Sequence, residues 1–206
     1  MPDDPRDMVE SGYDDAIADR YAESIRAGRG PETYFRGFLA RVLEPIPEGG
    51  TVLDLGCGAG LVTADLTTRA RVVGVDISAG QLELARRNAP AAMFVRADMV
   101  DLAFAPSSFD AIVAFWTLIH VPREVHASLL ARIHRWLKPG GLFAGTLGSG
   151  DNPAEHVPDF YGAPMYWSHF DGDTNRGLLR EAGFDILQAD EIEDEGETPL
   201  WVIARA

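Results

Sequence analysis

Three aspartates, Asp54, Asp76 and Asp98, stand at or just after the ends of short apolar segments in the first half of the chain. Around the first of them, the segment VLDLGCGAG (residues 52–60) has the pattern of a buried strand, a glycine turn and a helix N-terminus. Such a turn lets backbone amides approach a ligand closely. Asp76 ends the next predicted strand, at a distance along the chain where a carboxylate accepts hydrogen bonds from both hydroxyls of a ribose. These residues predict a nucleoside-binding site.

The glycine turn argues against a phosphate-bearing ligand. The third glycine of a dinucleotide-binding turn would fall at position 61, which is Leu61. Asp54 would repel a pyrophosphate, and residues 54–68 contain no lysine or arginine. The loop therefore suits a ligand that carries an ammonium group and an adenosine. Asp98 is placed to accept from the adenine amino group, with Ile77 and Met99 on either side of the ring.

The elements that position these aspartates are strands that alternate with helices from Thr51 onward. This alternation predicts a three-layer α/β sandwich with a mostly parallel sheet. In the second helix of this part, Ser78 and Gln81 fit a capping box. Pro122 suits the first turn of a later helix, and Gly183 suits the end of the last one. The predicted strands cover residues 51–55, 71–76, 92–95, 110–115, 142–146, 184–189 and 200–204.

Before the first strand, a stripe of apolar residues predicts a helix over residues 11–26, and a second helix contains Tyr34 to Val42. Residues 1–10 are polar and contain two prolines, so they predict a frayed end. Residues 148–172 predict an irregular, aromatic segment. The chain shows no internal repeat and no linker, which predicts one domain.

The net charge of the chain argues against some classes of binding partner. The 18 basic and 32 acidic residues give a net charge of −14, which repels duplex nucleic acid and anionic membranes at long range. No apolar run reaches the roughly 20 residues needed to span a bilayer. The N-terminus lacks the basic and apolar parts of a signal peptide, so a cytoplasmic location is expected. The single Cys57 excludes an internal disulfide and a cysteine-based zinc cluster, and it suits a small buried filler better than a nucleophile.

Residues 50–147 resemble the core of class I S-adenosylmethionine-dependent methyltransferases, in particular the small-molecule group with a UbiE-like core. The resemblance rests on the glycine turn, on the three aspartates and on the LKPGG turn at residues 137–141. It implies a Rossmann-like fold with seven strands, the last of them antiparallel, and S-adenosylmethionine as the cofactor. The positions of Asp54, Gly56 and Gly58 then hold the methionyl end, Asp76 binds the ribose, and Asp98 with Met99 flanks the adenine.

The resemblance also implies an order of parts along a single domain spanning residues 1–206. Residues 1–48 form N-terminal lid helices, 49–147 the cofactor-binding core, 148–172 a roof over the substrate, and 173–206 a closing helix and strands. In the lid, Tyr21 and Arg29 are expected to contact the cofactor and Tyr13 the substrate. At the end of the fourth strand, Phe115 is expected on the cofactor side and Trp116 on the substrate side.

The methyl acceptor is expected beyond the carboxyl ends of the first and fourth strands, at the switch point of the sheet. The fourth strand runs into FWTLIH (residues 115–120), without the Pro-Pro-aromatic tetrad of family members that methylate DNA or protein amides. His120 is the candidate general base or substrate orienter, and the alternative is a histidine that packs or caps a helix. Tyr166, Trp167 and His169 are the candidates for an aromatic roof, which suits a flat, apolar or cationic substrate. The alternative is a loop that buries its own aromatic side chains.

These residues together predict a methyltransferase that acts on O or N of a small molecule, with no nucleic-acid or membrane partner. No metal is expected, because the spacing of Asp151, His156 and Asp159 matches no known ligand pattern. His126 and His134 are expected on the solvent-facing side of a helix. Two alternatives stay open: a non-catalytic module that senses metabolites or scaffolds a partner, and a family member that uses the cofactor without transferring a methyl group.

Overall fold

A computed structural model describes residues 4–13, 17–18, 20, 23, 32–193 and 198–206. Its main feature is one seven-stranded sheet with a separate two-stranded hairpin. The strands are β1 (Thr51–Leu55), β2 (Arg71–Asp76), β3 (Met93–Arg96), β4 (Phe109–Ala114), β5 (Leu137–Leu147), β6 (Asn152–Phe160), β7 (Ala163–His169), β8 (Asp185–Glu191) and β9 (Leu200–Arg205).

The large sheet has the order β3-β2-β1-β4-β5-β9-β8. Strands β1 to β5 pair in parallel, and β9 pairs antiparallel with both β5 and β8. The predicted sandwich with seven strands and an antiparallel last strand is thus confirmed. The order reverses between β1 and β4, so a crevice opens at their carboxyl ends.

The described helices lie on both faces of this sheet. They are α1 (Pro5–Tyr13), α2 (Glu32–Leu43), α3 (Leu61–Leu66), α4 (Ala79–Asn88), α5 (His126–Trp136) and α6 (Gly172–Glu181), with short 3₁₀ helices at Leu118–His120 and Arg123–Val125. None of the described helices is both long and apolar enough to cross a membrane.

The central strands β1, β4 and β9 are buried on both faces, and their successive residues point to opposite sides of the sheet. Leu53 packs into the layer that contains α5 residues such as Leu129 and Ile133. Its neighbour Val52 packs into the other layer, which contains Phe38 from α2. This two-sided burial explains why the strand sequences are nearly continuous apolar runs.

The N-terminus differs from the prediction of a frayed end. Pro5–Tyr13 form helix α1, and the buried Met8 and Tyr13 lie on it. Ion pairs link the helix to the end of β3 and the turn after it, from Glu10 to Arg96 and from Arg6 to Asp101. The prediction of a helix from Ser11 was wrong at its start, because contacts with distant parts of the chain stabilise the polar first residues.

Residues 148–172 also differ from the prediction of an irregular segment. They contain the antiparallel hairpin β6–β7, in which Phe160 pairs with Ala163. The two residues between them, Tyr161 and Gly162, both have positive φ angles of 55° and 101°. Two central residues of this kind suit a tight hairpin turn whose twist matches the strands. The dipeptide Tyr161-Gly162 could have predicted this turn from the sequence.

One of the two hydrogen bonds expected for the capping box of α4 is present. Ser78 accepts a hydrogen bond from the backbone amide of Gln81 at 3.1 Å, as expected for an N-cap. The backbone amide of Ser78 donates instead to Asp76 Oδ1 at 2.9 Å, so the Gln81 side chain does not close the box.

Candidate functional site

A pocket lies at the carboxyl ends of β1, β2 and β4, beneath α1 and the 3₁₀ helix Leu118–His120. It encloses about 1100 Å³, its open mouth included. The residues that line it are Arg6, Val9, Tyr13, Asp54, Gly56, Cys57, Gly58, Ala59, Leu61, Val62, Asp76, Ile77, Gln81, Asp98, Met99, Val100, Phe115, Trp116, Thr117, His120, Val121 and Pro122. The structure thus brings together most of the residues predicted from the sequence.

The glycine turn after β1 brings backbone amides to the floor of the pocket. Gly56 and Gly58 have φ angles of 65° and 50°, in the left-handed region that glycine adopts without strain. A Cβ on Gly56 would lie 2.0 Å from Thr117 Oγ1, so no larger residue fits there. The amide of Gly58 donates to Asp76 Oδ2 at 2.8 Å. Together with the Ser78 amide on the other oxygen, it fixes the Asp76 carboxylate at the pocket wall.

Asp54 is a buried acid at the base of the pocket, with only 2% of its surface exposed. The hydroxyl of Thr63 donates to its Oδ2 at 2.6 Å. Burial raises the pKa of Asp54 to about 7, while the bond from Thr63 opposes this shift and the nearby Asp76 adds to it. Within the described part of the chain, no arginine or lysine pairs with Asp54. The site therefore favours a ligand that brings its own positive charge.

Asp98 follows β3 and lines the pocket. Its Oδ1 accepts from the amide of Val100 at 2.8 Å. Arg6 Nε lies 3.1 Å from Oδ2, yet no donor in the described residues has hydrogen-bond geometry to this buried oxygen. Oδ2 can therefore accept from a ligand amino group. Arg6 is a pocket residue that the sequence did not indicate, because it belongs to the segment predicted to fray.

Gln81 is a second pocket residue that the sequence analysis missed. Its side chain is buried, with 1% exposed. Neither Nε2 nor Oε1 has a hydrogen-bond partner in the part of the chain that the structure describes. A buried amide without partners costs about 1–3 kcal/mol. Its position in the first turn of α4, five residues after Asp76, was the available signal.

Tyr13 and His120 meet at the roof of the pocket. Tyr13 Oη lies 3.0 Å from His120 Nε2, and His120 Nδ1 lies 2.7 Å from the backbone oxygen of Tyr166. Tyr13 is also anchored by its backbone oxygen, which accepts from Ser78 Oγ at 2.9 Å. The ring of Trp167 packs against His120 with centroids 5.4 Å apart.

Trp116 forms another part of the wall at the end of β4. Its φ angle of 51° is unusual for a residue with a side chain. The Trp116 amide donates to the buried Thr146 Oγ1 at 2.6 Å, and its ring packs against Phe115 and Trp201. A strained backbone that is held by its surroundings is typical of functional sites.

Several predicted site residues lie elsewhere. The side chains of Tyr166, Trp167 and His169 do not line the pocket: Tyr166 is buried against His156, and His169 Nδ1 bonds to the backbone oxygen of Gly150. The hairpin therefore contributes through the backbone of Tyr166 and through packing. Tyr21 and Arg29 lie outside the described residues.

The prediction that His126 lies on the surface was wrong. His126 is 4% exposed, and its Nε2 bonds to the backbone oxygen of Val121 at 2.9 Å. Burial lowers the pKa of His126, so the ring is neutral at physiological pH. His126 lies on the face of α5 that packs against Phe170, the residue after β7. The spacing of apolar residues in the sequence did not show that this face is covered. His134 is half-buried and packs on Phe184.

Two further expectations concern cysteine and metal. Cys57 is buried, and burial raises the pKa of its thiol, as suits a filler. No group of three or more histidine, cysteine, aspartate or glutamate side chains is arranged to hold a metal ion within the residues described.

Comparison with known proteins gives the following relatives. Residues 52–141 match a family model described as a methyltransferase domain. The trans-aconitate 2-methyltransferase of Azoarcus sp. (strain BH72) is 44% identical over 113 residues, covering 53% of this chain and 42% of that protein. The O-methyltransferase cnsE of Penicillium expansum is 34% identical over 161 residues, covering 71% of this chain and 56% of that protein. The chain spans about half the length of these curated relatives.

Solved structures share the fold over nearly the whole chain. The magnesium protoporphyrin IX methyltransferase of Synechocystis PCC 6803, solved with bound SAH, aligns with a TM-score of 0.74 at 18% identity. The alignment covers 98% of this chain and 99% of that one, which extends the common architecture to the hairpin and the closing strands.

Proposed function

This chain belongs to the class I S-adenosylmethionine-dependent methyltransferases, and from that premise we propose that it transfers a methyl group to an oxygen or nitrogen of a small-molecule acceptor. The observation that carries the proposal is the pocket itself. It joins a buried acid with no arginine or lysine partner in the described residues, a ribose-type carboxylate, and the Asp98 Oδ2 oxygen, which lies beside Arg6 but has no hydrogen-bond donor among those residues.

The residues present fit S-adenosylmethionine, the cofactor of the family. Asp54 offers a carboxylate to the positively charged methionyl end, and Gly56 and Gly58 line the pocket next to it. Asp76, whose two carboxylate oxygens accept from the amides of Gly58 and Ser78, is proposed to accept from the ribose hydroxyls as well. Asp98 Oδ2 can accept from the adenine amino group. S-adenosylmethionine supplies an electrophilic methyl carbon attached to a sulfonium sulfur.

Ile77, Met99 and Phe115 provide the apolar surface that an adenosine requires. All three line the pocket, with Met99 and Phe115 buried. Apolar walls that carry a few placed polar groups are the usual composition of such sites. Tyr21 and Arg29 of the lid are proposed as additional cofactor contacts.

The acceptor is proposed to lie between Tyr13, Trp116 and His120. Methyl transfer is an in-line displacement, so these residues have to exclude water and align the attacking atom with the methyl carbon. His120 is proposed as the base that removes the acceptor's proton, and the backbone oxygen of Tyr166 and the ring of Trp167 hold it from the hairpin side.

The proposed partner is a small molecule and not a nucleic acid or a membrane. The net charge of −14 would have to be overcome by local basic groups before a duplex could bind. A filter-binding assay at low salt checks this, because submicromolar affinity for duplex DNA or bulk RNA would contradict it.

The deciding experiment separates an enzyme from a binding module. Calorimetry should show that the purified protein binds S-adenosylmethionine. A crude metabolite extract should then yield S-adenosylhomocysteine with the wild-type protein but not with Asp76→Ala or with extract alone. Tight binding without any product would favour the alternative of a sensor or scaffold module. Loss of the methyl group without a methylated product would favour a member that uses the cofactor for another reaction.

A further inference from the structure

We infer that Tyr13 is the residue that takes the proton from the acceptor, that it passes its own proton to His120, and that the acceptor is therefore a hydroxyl compound. This inference rests on the proposed function and refines it, because His120 then acts through Tyr13 and not on the acceptor directly.

The direction of the hydrogen bonds around His120 follows from the chemistry of the partners. A backbone carbonyl can only accept, so the contact of 2.7 Å between His120 Nδ1 and the oxygen of Tyr166 requires a proton on Nδ1. In the neutral ring, Nε2 then carries the lone pair. The contact of 3.0 Å between Tyr13 Oη and Nε2 is therefore donated by the phenol.

This arrangement leaves no ring nitrogen of His120 for a direct bond to an acceptor. Nδ1 faces the hairpin and Nε2 faces Tyr13, while Trp167 covers the ring. Tyr13 is held in place by Ser78 at its backbone oxygen and by Phe160 at its ring, with centroids 6.2 Å apart. A proton from the acceptor thus reaches Nε2 through the phenol oxygen of Tyr13, a residue that lines the pocket.

The transfer balances without another reactant. The acceptor oxygen forms its bond to the methyl carbon while the bond of that carbon to sulfur breaks, and the electron pair stays on sulfur. The acceptor proton moves to Tyr13 Oη as the phenol proton moves to His120 Nε2. The resulting imidazolium keeps its Nδ1 bond to the Tyr166 carbonyl and later releases the proton to solvent.

A relay of this kind favours hydroxyl acceptors over the other common classes. Carboxylic acids are already ionised at neutral pH, so they need no base. An aromatic amine is neutral at pH 7 and attacks through its lone pair, whereas an aliphatic ammonium has to lose a proton first, as a hydroxyl does. A hydroxyl is a weak nucleophile until its proton is removed. The aromatic rings of Tyr13, Phe115 and Trp116 at the pocket favour a flat ring beside that hydroxyl.

The first test needs no acceptor. Nitrogen-15 NMR of the histidines should show His120 with a proton on Nδ1 and none on Nε2, together with a slowly exchanging phenol proton that is lost in Tyr13→Phe. The matched control is Tyr161→Phe, which alters an exposed tyrosine at the tip of the hairpin. A proton on Nε2 in the neutral ring would overturn the relay, since Nε2 would then be a donor.

The second test uses phenol and 4-nitrophenol as acceptors and measures the release of S-adenosylhomocysteine. At mildly alkaline pH 4-nitrophenol is already ionised, whereas phenol has to lose its proton. Tyr13→Phe should lower kcat for phenol by roughly 10²–10⁴-fold and change the rate with 4-nitrophenol far less. His120→Gln should behave in the same way, and the double variant should be no slower than either single one.

Several outcomes would overturn the inference. If the Tyr13→Phe variant keeps the wild-type rate and pH profile with phenol, Tyr13 carries no proton and His120 alone is the base. Transfer by the wild type to amines but to neither phenol would overturn the hydroxyl step while the proposed function stands. Absence of transfer with every acceptor, including the metabolite extract, would overturn the proposed function and this step with it.

Discussion

The hydroxyl of Thr63 on α3 donates to Oδ2 of Asp54 at 2.6 Å, inside the core next to the pocket. Thr63 is thus a hydrogen-bond partner of a carboxyl whose pKa is raised to about 7 by burial. The molecule therefore keeps an acid close to its titration point at the place where a cationic ligand is expected. A buried carboxyl of this kind destabilises the ligand-free protein when it ionises, and it stabilises the complex with a cationic ligand.

Asp54→Asn should stabilise the ligand-free protein. The pKa of Asp54 is about 7 in the folded state and 3.8 in the reference state, so the wild type loses stability as pH rises through this interval. The amide still accepts from Thr63 and has no charge to bury. We expect the free energy of unfolding in urea to rise by about 2–4 kcal/mol at pH 8, and by less near pH 5. Asp65→Asn on the exposed face of α3 is the control, and an equal or lower stability of Asp54→Asn would contradict the expectation.

The affinity for S-adenosylmethionine should depend on pH through the same group. Because the cationic methionyl end favours the ionised carboxyl, binding below pH 7 has to expel a proton from Asp54, whose pKa is about 7. Affinity should fall toward tenfold for each unit below this pKa and level off above it. Calorimetry in buffers of different ionisation enthalpy measures both the affinity and the released proton. In Asp54→Asn binding should be weaker and flat with pH, and a steep dependence retained in that variant would assign the proton to another group.

Asp76→Ala should weaken binding of S-adenosylmethionine by at least about tenfold, because charged hydrogen bonds contribute about 1.5–3 kcal/mol each. The same substitution removes the acceptor for the Gly58 and Ser78 amides, so part of the loss comes from a looser glycine turn. Thermal unfolding of the ligand-free variant separates the two effects. An unchanged affinity in a folded variant would remove Asp76 from the site.

Gln81→Met should have opposite effects on stability and on binding. The substitution keeps the size of the side chain and removes a buried amide that has no partner in the described residues. We expect an increase of about 1 kcal/mol in the stability of the ligand-free protein, together with a five- to thirty-fold weaker affinity for S-adenosylmethionine. Paired urea titrations and calorimetry check the two signs. A loss of stability would mean that the amide is already satisfied in the ligand-free protein, and an unchanged affinity would mean that it does not serve the ligand.

The sequence predicted which residues around the glycine turn line the pocket, because the signals for them are local. A strand, a glycine turn and a helix within residues 52–66 fix the position of Asp54, and the alternation of strands and helices places Asp76 and Asp98 at the same edge. Positive φ angles at Gly56 and Gly58 follow from the residue type. These features depend on neighbours along the chain, so a pattern of residues is sufficient to predict them.

The other half of the site was decided by the tertiary structure. Tyr13 and His120 are 107 residues apart in sequence, and Arg6 and Asp101 are 95 apart. No local period encodes such pairs, because they form only when α1 packs across the pocket. The burial of His126 has the same origin, since a helical period shows which residues share a face but not what covers that face. The sequence by itself thus determined the sheet and the three aspartates, whereas the contact between Tyr13 and His120 over the pocket arose from the packing of distant segments.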